Sequence, residues 1–262
     1  MKLGVDKLYA TWYSYYSEKT TKDDIMSNNV VQGYDGSIHA PSSERSSVVK
    51  IRGHVKEHEF SKRIDGDVIK GRKKPDVIKD KYRYSVKGAD KSIQFMLLTH
   101  SKSGDYYGIE HPMYNFVVAG YNHRKFKFDN NNFIDKSLFS KYKESADKVS
   151  EWLTEPINLR SVLEKVISDG YDANKLVVLK ETNQDAFVYD MKEIIDLYTN
   201  SDYKIHVTNT AKVVITTDDY GEIFYLEIRG GKDHCGSLKH GVQAPQFYYF
   251  LKENLNYEVI SE

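Results

Sequence analysis

The spacing of apolar residues along the chain alternates between a period near 3.6 and a period of 2. In VVKIRGHVKEHEFSKRI, Val48, Ile51, Val55 and, less regularly, Phe60 recur at helical intervals, which predicts a helix over residues 48–64 with Gly53 as its weak point. In KKPDVIKDKYRYSVKG, two short β-type runs, DVI and YRYSV, flank the polar KDK, the pattern of an antiparallel hairpin. ADKSIQFMLLTHSK then carries Ile93, Met96, Leu97 and His100 on one helical face. The expected order in this part of the chain is therefore helix, hairpin, helix.

Beyond it, MYNFVVAGY and KFKFD are predicted strands, and LFSKYKESADKVSEWL and PINLRSVLEKVI are predicted amphipathic helices, the second with Pro156 near its first turn. LVVLK, AFVYD, KIHVT, KVVITT and EIFYLEIR predict strands in quick succession, interrupted by a helix at MKEIIDLY. PQFYYFLKENL predicts a last helix after a Gly-rich loop. Helices and strands are mixed without an internal repeat or a linker, so the expectation is one α+β domain with a central mixed sheet flanked by helices. Within it, residues 1–45 form an arm rich in aromatics, Ser, Asn and Gly, 46–130 the core around the hairpin, and 131–262 the later helices, strands and loop.

Composition narrows the class. With 262 residues and 40% hydrophobic content the chain is long enough and apolar enough for a substantial core. Its 38 basic and 38 acidic residues balance, so no field of the whole molecule attracts a polyanion, and any nucleic-acid site has to be a local patch. The single cysteine, Cys235, excludes an internal disulfide framework. MKLGVDKLYATWYSYY lacks the pattern of a signal peptide, and no apolar run approaches the roughly 18 residues of a membrane helix, so a cytoplasmic protein without a membrane partner is expected.

The hairpin carries candidate chemistry. A turn centred between Asp80 and Lys81 sets position 76 opposite position 85, and alternation adds Lys87 to the face of Ser85 while Val86 turns the other way. An acid, a hydroxyl and an ammonium then meet on one face. A carboxylate can hold a hard cation such as Mg²⁺, and a neighbouring lysine can orient a water or stabilise developing charge, the minimum equipment for cutting a phosphodiester.

PDVIKDKYRYSVKG resembles the PD-(D/E)xK signature of restriction-type nucleases, with Pro75 and Asp76 as PD and Ser85, Val86 and Lys87 in place of (D/E)xK. The resemblance implies a type II restriction endonuclease of the SVK variant: a Mg²⁺-dependent enzyme that hydrolyses double-stranded DNA at specific sites, as a homodimer, within a restriction-modification system. In that family a helix before the hairpin can lend a glutamate, and with Ser85 standing where a carboxylate is usual, this chain needs one. KEHEF offers Glu57 and Glu59, Glu59 being favoured by its place one turn beyond Val55, with Asp67 and Glu110 as further options. The implied metal ligands are Asp76 and Glu59, with Lys87 orienting the attacking water.

A second constellation lies between residues 222 and 250. Arg229, Lys232, His234, Lys239, His240 and Gln243 stand among four glycines after a strand, the composition of a loop that contacts phosphates and base edges. Asp219, Glu227 and Arg229 imitate a D…ExK pattern, but arginine does not readily release a proton. His234, Cys235 and His240 fit no common zinc spacing. Two other classes fit the same residues: a noncatalytic nucleic-acid-binding or phage interaction protein, and a nucleotide- or RNA-processing enzyme built on the His234–His240 loop.

Overall fold

In a computed structural model, the structure describes residues 31–32, 38–39, 44–69, 75–88, 92–169, 172–179, 185–230 and 236–261, the first stretches up to residue 52 by their backbone alone. The chain divides into two compact units, 1–55 and 56–262. The first holds a pair of two-residue antiparallel strands, β1 (Val31–Gln32) and β2 (Ile38–His39), and the beginning of helix α1 (Glu44–Ile64). Tyr13, Tyr15 and Tyr16 of the arm lie outside the described residues.

The second unit holds two sheets. Strands β3 (Asp67–Val68), β4 (Val77–Lys79) and β5 (Tyr82–Gly88) lead from one edge into a six-stranded mixed sheet, which continues through β7 (Lys175–Leu179) and β8 (Ala186–Asp190) to β13 (Glu258–Ile260). Among the described residues, β5 and β7 are its one parallel pair. The other sheet is antiparallel and five-stranded, in the order β6 (Ser92–Leu98), β12 (Leu238–Gln243), β11 (Gly221–Ile228), β10 (Val213–Thr217) and β9 (Lys204–Val207). Helices α2 (His100–Tyr107), α3 (Pro112–Asp129), α4 (Lys136–Leu153), α5 (Pro156–Ile167), α6 (Met191–Asn200) and α7 (Ala244–Asn254) complete an α+β fold whose mixed sheet carries the hairpin. Among the described residues no helix is long and apolar enough to cross a membrane.

The helix starts are set by their sequence. Asp135 caps α4 by accepting from the Leu138 N–H, and Asp190 caps α6 by accepting from Lys192 and Glu193. Pro156 opens α5 where its missing N–H costs nothing.

Alternation in the mixed sheet separates two cores. Leu176, Val178, Phe187 and Tyr189 face the large core between the sheets and helices. Val177, Leu179, Ala186 and Val188 face the other way and pack with Val77, Tyr84 and Val86 of the hairpin and with Phe60 of α1. Phe60 is wholly buried, its ring 5.2 Å from that of Tyr84 in an edge contact.

Two expected elements differ. Residues 92–98 form strand β6, not a helix, because they ladder onto β12 from Leu98↔Leu238 to Ser92↔Gln243. The register shifts by one residue beside Phe95, and this bulge breaks the period of 2, so Ile93, Met96 and Leu97 imitate a helical face. Conversely MYNFVVAGY and KFKFD are not strands but parts of helix α3. Met113, Phe116, Val117, Gly120 and His123 are buried there at intervals of three and four, and His111 caps the helix through Nδ1, 3.1 Å from the Met113 N–H. Burial on one helical line overrides the strand preference of the valines and aromatics. Gly120 is needed at that line, since a Cβ would stand 2.5 Å from Cγ1 of Ile228.

Candidate active site

The hairpin pairs Val77↔Tyr84, Ile78↔Arg83 and Lys79↔Tyr82. Asp80 takes a left-handed conformation in the turn, φ 52°, a region that Asp tolerates better than most residues. The pairing ends there: Asp76 lies in a bend before β4 and its N–H donates at 2.8 Å to the carbonyl of Tyr84, the partner of Val77, so the expected pairing of positions 76 and 85 does not form. On the strand side, Asn174 fixes the tip: its Oδ1 accepts from the Arg83 N–H at 2.8 Å and its Nδ2 donates to Lys81 O at 3.2 Å.

Three donors converge on one oxygen of Asp76. Oδ2 accepts from the Val86 N–H at 2.7 Å, from Ser85 Oγ at 3.3 Å and from Lys87 Nζ at 3.3 Å. Lys87 Nζ also donates to Val86 O at 3.1 Å. Ser85 is completely buried, whereas the side chains of Asp76 and Lys87 are each 18% exposed. The ion pair therefore sits where the covered face of the mixed sheet opens to solvent at its β4 and β3 edge. Oδ1 of Asp76 has no hydrogen bond among the described residues.

Helix α1 turns other residues inward than the spacing from Val55 predicts. The inward line of α1 ends on Phe60 and Ser61, 0% and 5% exposed, so Glu59 faces solvent and Glu57 is half-buried. Phe60 packs with Tyr84 and Val86, and alternation turns Ser85 and Lys87 to the opposite face of β5. The structure thus gathers Asp76, Ser85 and Lys87 but does not add Glu57 or Glu59 to them. Helix α1 instead sends Lys56 to the end of β5, so close that a Cβ on Gly88 would lie 2.3 Å from its Nζ. Glu110 lies exposed in the turn between α2 and α3.

β3 pairs Asp67↔Ile78 and Val68↔Val77, and the Ile69 N–H donates to Asp76 O at 2.9 Å. Val68 joins the Phe60 core, so alternation turns Asp67 to the face of Ile78. Its carboxylate is exposed and makes no ion pair among the described residues. Among the described residues no group of three or more His, Cys, Asp or Glu side chains is arranged to hold a metal.

The late basic stretch is largely strand. Lys232, His234 and Cys235 lie outside the described residues, and Leu238–Gln243 is the central strand β12 rather than part of a loop. His240 is fully buried with Nε2 2.9 Å from the Tyr107 hydroxyl, so no external ligand reaches it. Gln243 donates to Glu222 Oε1 at 3.1 Å, beside Lys212, whose Nζ holds both oxygens of Glu222 at 2.7 and 2.8 Å. Lys239 lies 5.0 Å from the Tyr225 ring centroid. Burial pulls the Lys239 ammonium below the ordinary lysine value; Glu227 opposes that and Arg229 adds to it. Arg229 and Lys239 thus remain as half-buried cations on one face, while His240 and Gln243 serve the sheet.

The Asn174 staple and the Tyr107–His240 pair were not visible in the sequence. The basic and glycine-rich composition of LKHGVQ hid a strand in which Leu238, His240, Gly241 and Val242 are buried. No family model matches the chain, and no curated protein matches it.

Proposed function

We propose that the β4–β5 hairpin is the catalytic centre of a Mg²⁺-dependent endonuclease acting on double-stranded DNA, as the resemblance to SVK-type restriction enzymes implies. The observation that carries this reading is the convergence of Val86 N–H, Ser85 and Lys87 on Oδ2 of Asp76, which fixes the carboxylate and leaves Oδ1 without a hydrogen bond among the described residues. Ser85, wholly buried, acts as a donor that positions Asp76 rather than as a metal ligand. Asp67, exposed on β3 beside β4, stands in for Glu59 as the second acid.

These residues fit Mg²⁺, which keeps several waters and is commonly bound by one or two carboxylates together with substrate phosphate oxygens. Asp76 and Asp67 would hold the ion, whose chemistry there would be charge neutralisation on the phosphoryl group and a more acidic water. Lys87 has three ammonium hydrogens, two of them engaged by Asp76 Oδ2 and Val86 O. The third orients the attacking water or the phosphoryl oxygen. The reaction adds water across one P–O ester bond, leaving a phosphate monoester on one fragment and a hydroxyl on the other. Action as a homodimer within a restriction-modification system rests on the family resemblance.

Unmethylated phage DNA incubated with the protein and Mg²⁺ tests the proposal: a discrete fragment pattern that chelation abolishes is expected, and intact DNA contradicts it. Ser85, standing where a carboxylate is usual, favours a second reading, a nucleic-acid-binding protein that does not cut. Stable DNA binding with no cleavage in either Mg²⁺ or Mn²⁺ identifies that case.

A further inference from the structure

The connection from α3 to α4 holds apolar side chains in solvent. Phe128, Phe133 and Ile134 are 50%, 65% and 49% exposed there, although burial is the stabilising fate of such groups. The backbone of the turn is set by its asparagines. Asn130 Nδ2 donates to Phe126 O at 2.9 Å, and Asn131 and Asn132 take left-handed conformations, φ 51° and 68°, which asparagine tolerates. The Asn132 N–H donates to Lys127 O at 2.8 Å, the Phe133 N–H donates to Asn130 O at 2.9 Å, and Asp135 then caps α4. Phe133 leans on the half-exposed Phe126, ring centroids 6.4 Å apart. Its ring is thus held outward on a hydrogen-bonded turn.

The same segment is the basic patch that a neutral molecule has to have if it binds a polyanion locally. Arg124, Lys125, Lys127, Lys136, Lys141 and Lys143 stand against two acidic residues, Asp129 and Asp135. Lys125 holds Asp129 at 2.7 Å, and Asp135 accepts from the Leu138 N–H. Lys127, half-buried in the last turn of α3, and Lys136, exposed in the first turn of α4, make no ion pair among the described residues. They flank the turn on its two helix ends. A cation in the first turn faces the positive end of the helix dipole, so helix stability does not account for Lys136.

An apolar surface with a cationic rim fits a partner that is both flat-faced and anionic. A second copy packed on it across a two-fold axis would bring like lysines together. We propose that the α3–α4 turn is a DNA-binding element in which Phe133 stacks on a base at an opened step of the duplex while Lys127 and Lys136 hold backbone phosphates on either side. Every base has a π-face, so this contact is independent of base sequence. The choice of DNA rests on the reading of the hairpin as a DNA-cutting centre, and it moves DNA contact away from His240 and Gln243, which the five-stranded sheet employs.

The test is binding of a fluorescent duplex of about 20 base pairs by the full chain in Ca²⁺, read by anisotropy from about 50 to 200 mM salt. Phe133→Ala and Phe133→Leu are each expected to raise Kd about tenfold, since neither keeps a π-face, and Phe133→Trp is expected to bind as the parent does. Lys127→Ala/Lys136→Ala is expected to flatten the slope of log K against log salt by about 1.8, that is ~0.9 for each lost phosphate contact. Lys192→Ala/Lys204→Ala removes as much charge from exposed positions on α6 and β9 and is expected to leave the slope unchanged. An unchanged Kd in Phe133→Ala or Phe133→Leu, an unchanged slope in the Lys127/Lys136 variant, or an equal loss in the α6/β9 control overturns the proposal and leaves the catalytic reading intact. Binding that depends on the turn in a protein that cuts no DNA upholds the turn and overturns the catalytic reading. A parent protein that binds phosphatidylserine vesicles but not the duplex overturns both.

Discussion

Ser85 is where this chain departs from the usual second carboxylate, and its surroundings give the substitution a physical reason. A hydroxyl with no solvent exposure can donate to Asp76 Oδ2, whereas a carboxylate there would be a second buried anion beside the first. Ser85→Ala should therefore cost about 1 kcal/mol of stability, and Ser85→Glu should cost more and restore no metal affinity, both measurable by urea unfolding with a Mn²⁺ titration. Asp67→Asn, at an exposed position, should leave stability within about 0.5 kcal/mol while weakening Mn²⁺ binding at least tenfold; Glu59→Gln should leave that binding unchanged. Equal Mn²⁺ affinities in the two variants would remove Asp67 from the site.

Elements carry the site by what they pack against. The β4–β5 hairpin lies on Phe60 of α1 through Tyr84 and Val86, so Phe60→Ala opens a cavity directly beneath the strand that presents Lys87. A loss of about 3–5 kcal/mol is expected, read as a shifted denaturant midpoint with unchanged slope. The hairpin was legible in the sequence because its logic is local: the turn and the two strands lie within sixteen residues, whereas the bend that sets Asp76 off from its expected partner Ser85 was not legible. Helix α3 and strand β6 were not, because local preference and tertiary burial disagree there: valines and aromatics line one side of a helix, and the bulge at Phe95 breaks an otherwise plain strand pattern. Asn174 and the Tyr107–His240 pair were equally hidden, since their partners lie 91 and 133 residues away. For the same reason Asp67 was one option among several in the sequence; its choice depends on strand register, which no spacing argument on α1 supplies.

At the scale of the molecule, two histidines couple stability to acid. Burial holds the His123 imidazole below its ordinary value of 6.5, and Arg124 and Lys127 lower it further against an opposing Asp135. Burial does the same at His111, reinforced by Lys165. A folded pKa below the unfolded one means that the unfolded chain binds more protons, so stability is complete above about pH 6.5 and falls as pH drops through the window beneath it. Urea midpoints should accordingly decline between pH 7 and pH 5, and His123→Phe should flatten that decline; a parent midpoint that does not move over this range would contradict the assignment. The same molecule keeps its candidate chemistry at the open β4 and β3 edge of the mixed sheet, away from this buried polar interior.

The central claim is that Asp76, fixed by the SVK strand, serves hydrolysis of a phosphodiester. Its most direct measurement is the Mg²⁺-dependent conversion of supercoiled DNA by the parent protein and by the isosteric Asp76→Asn variant, with melting followed in parallel. Cleavage by the parent is expected, with a loss of about 10³-fold or more in a variant that still folds, on the scale of removing a group that stabilises the transition state. An Asp76→Asn protein that cuts as fast as the parent, or a parent that leaves DNA intact, would contradict it.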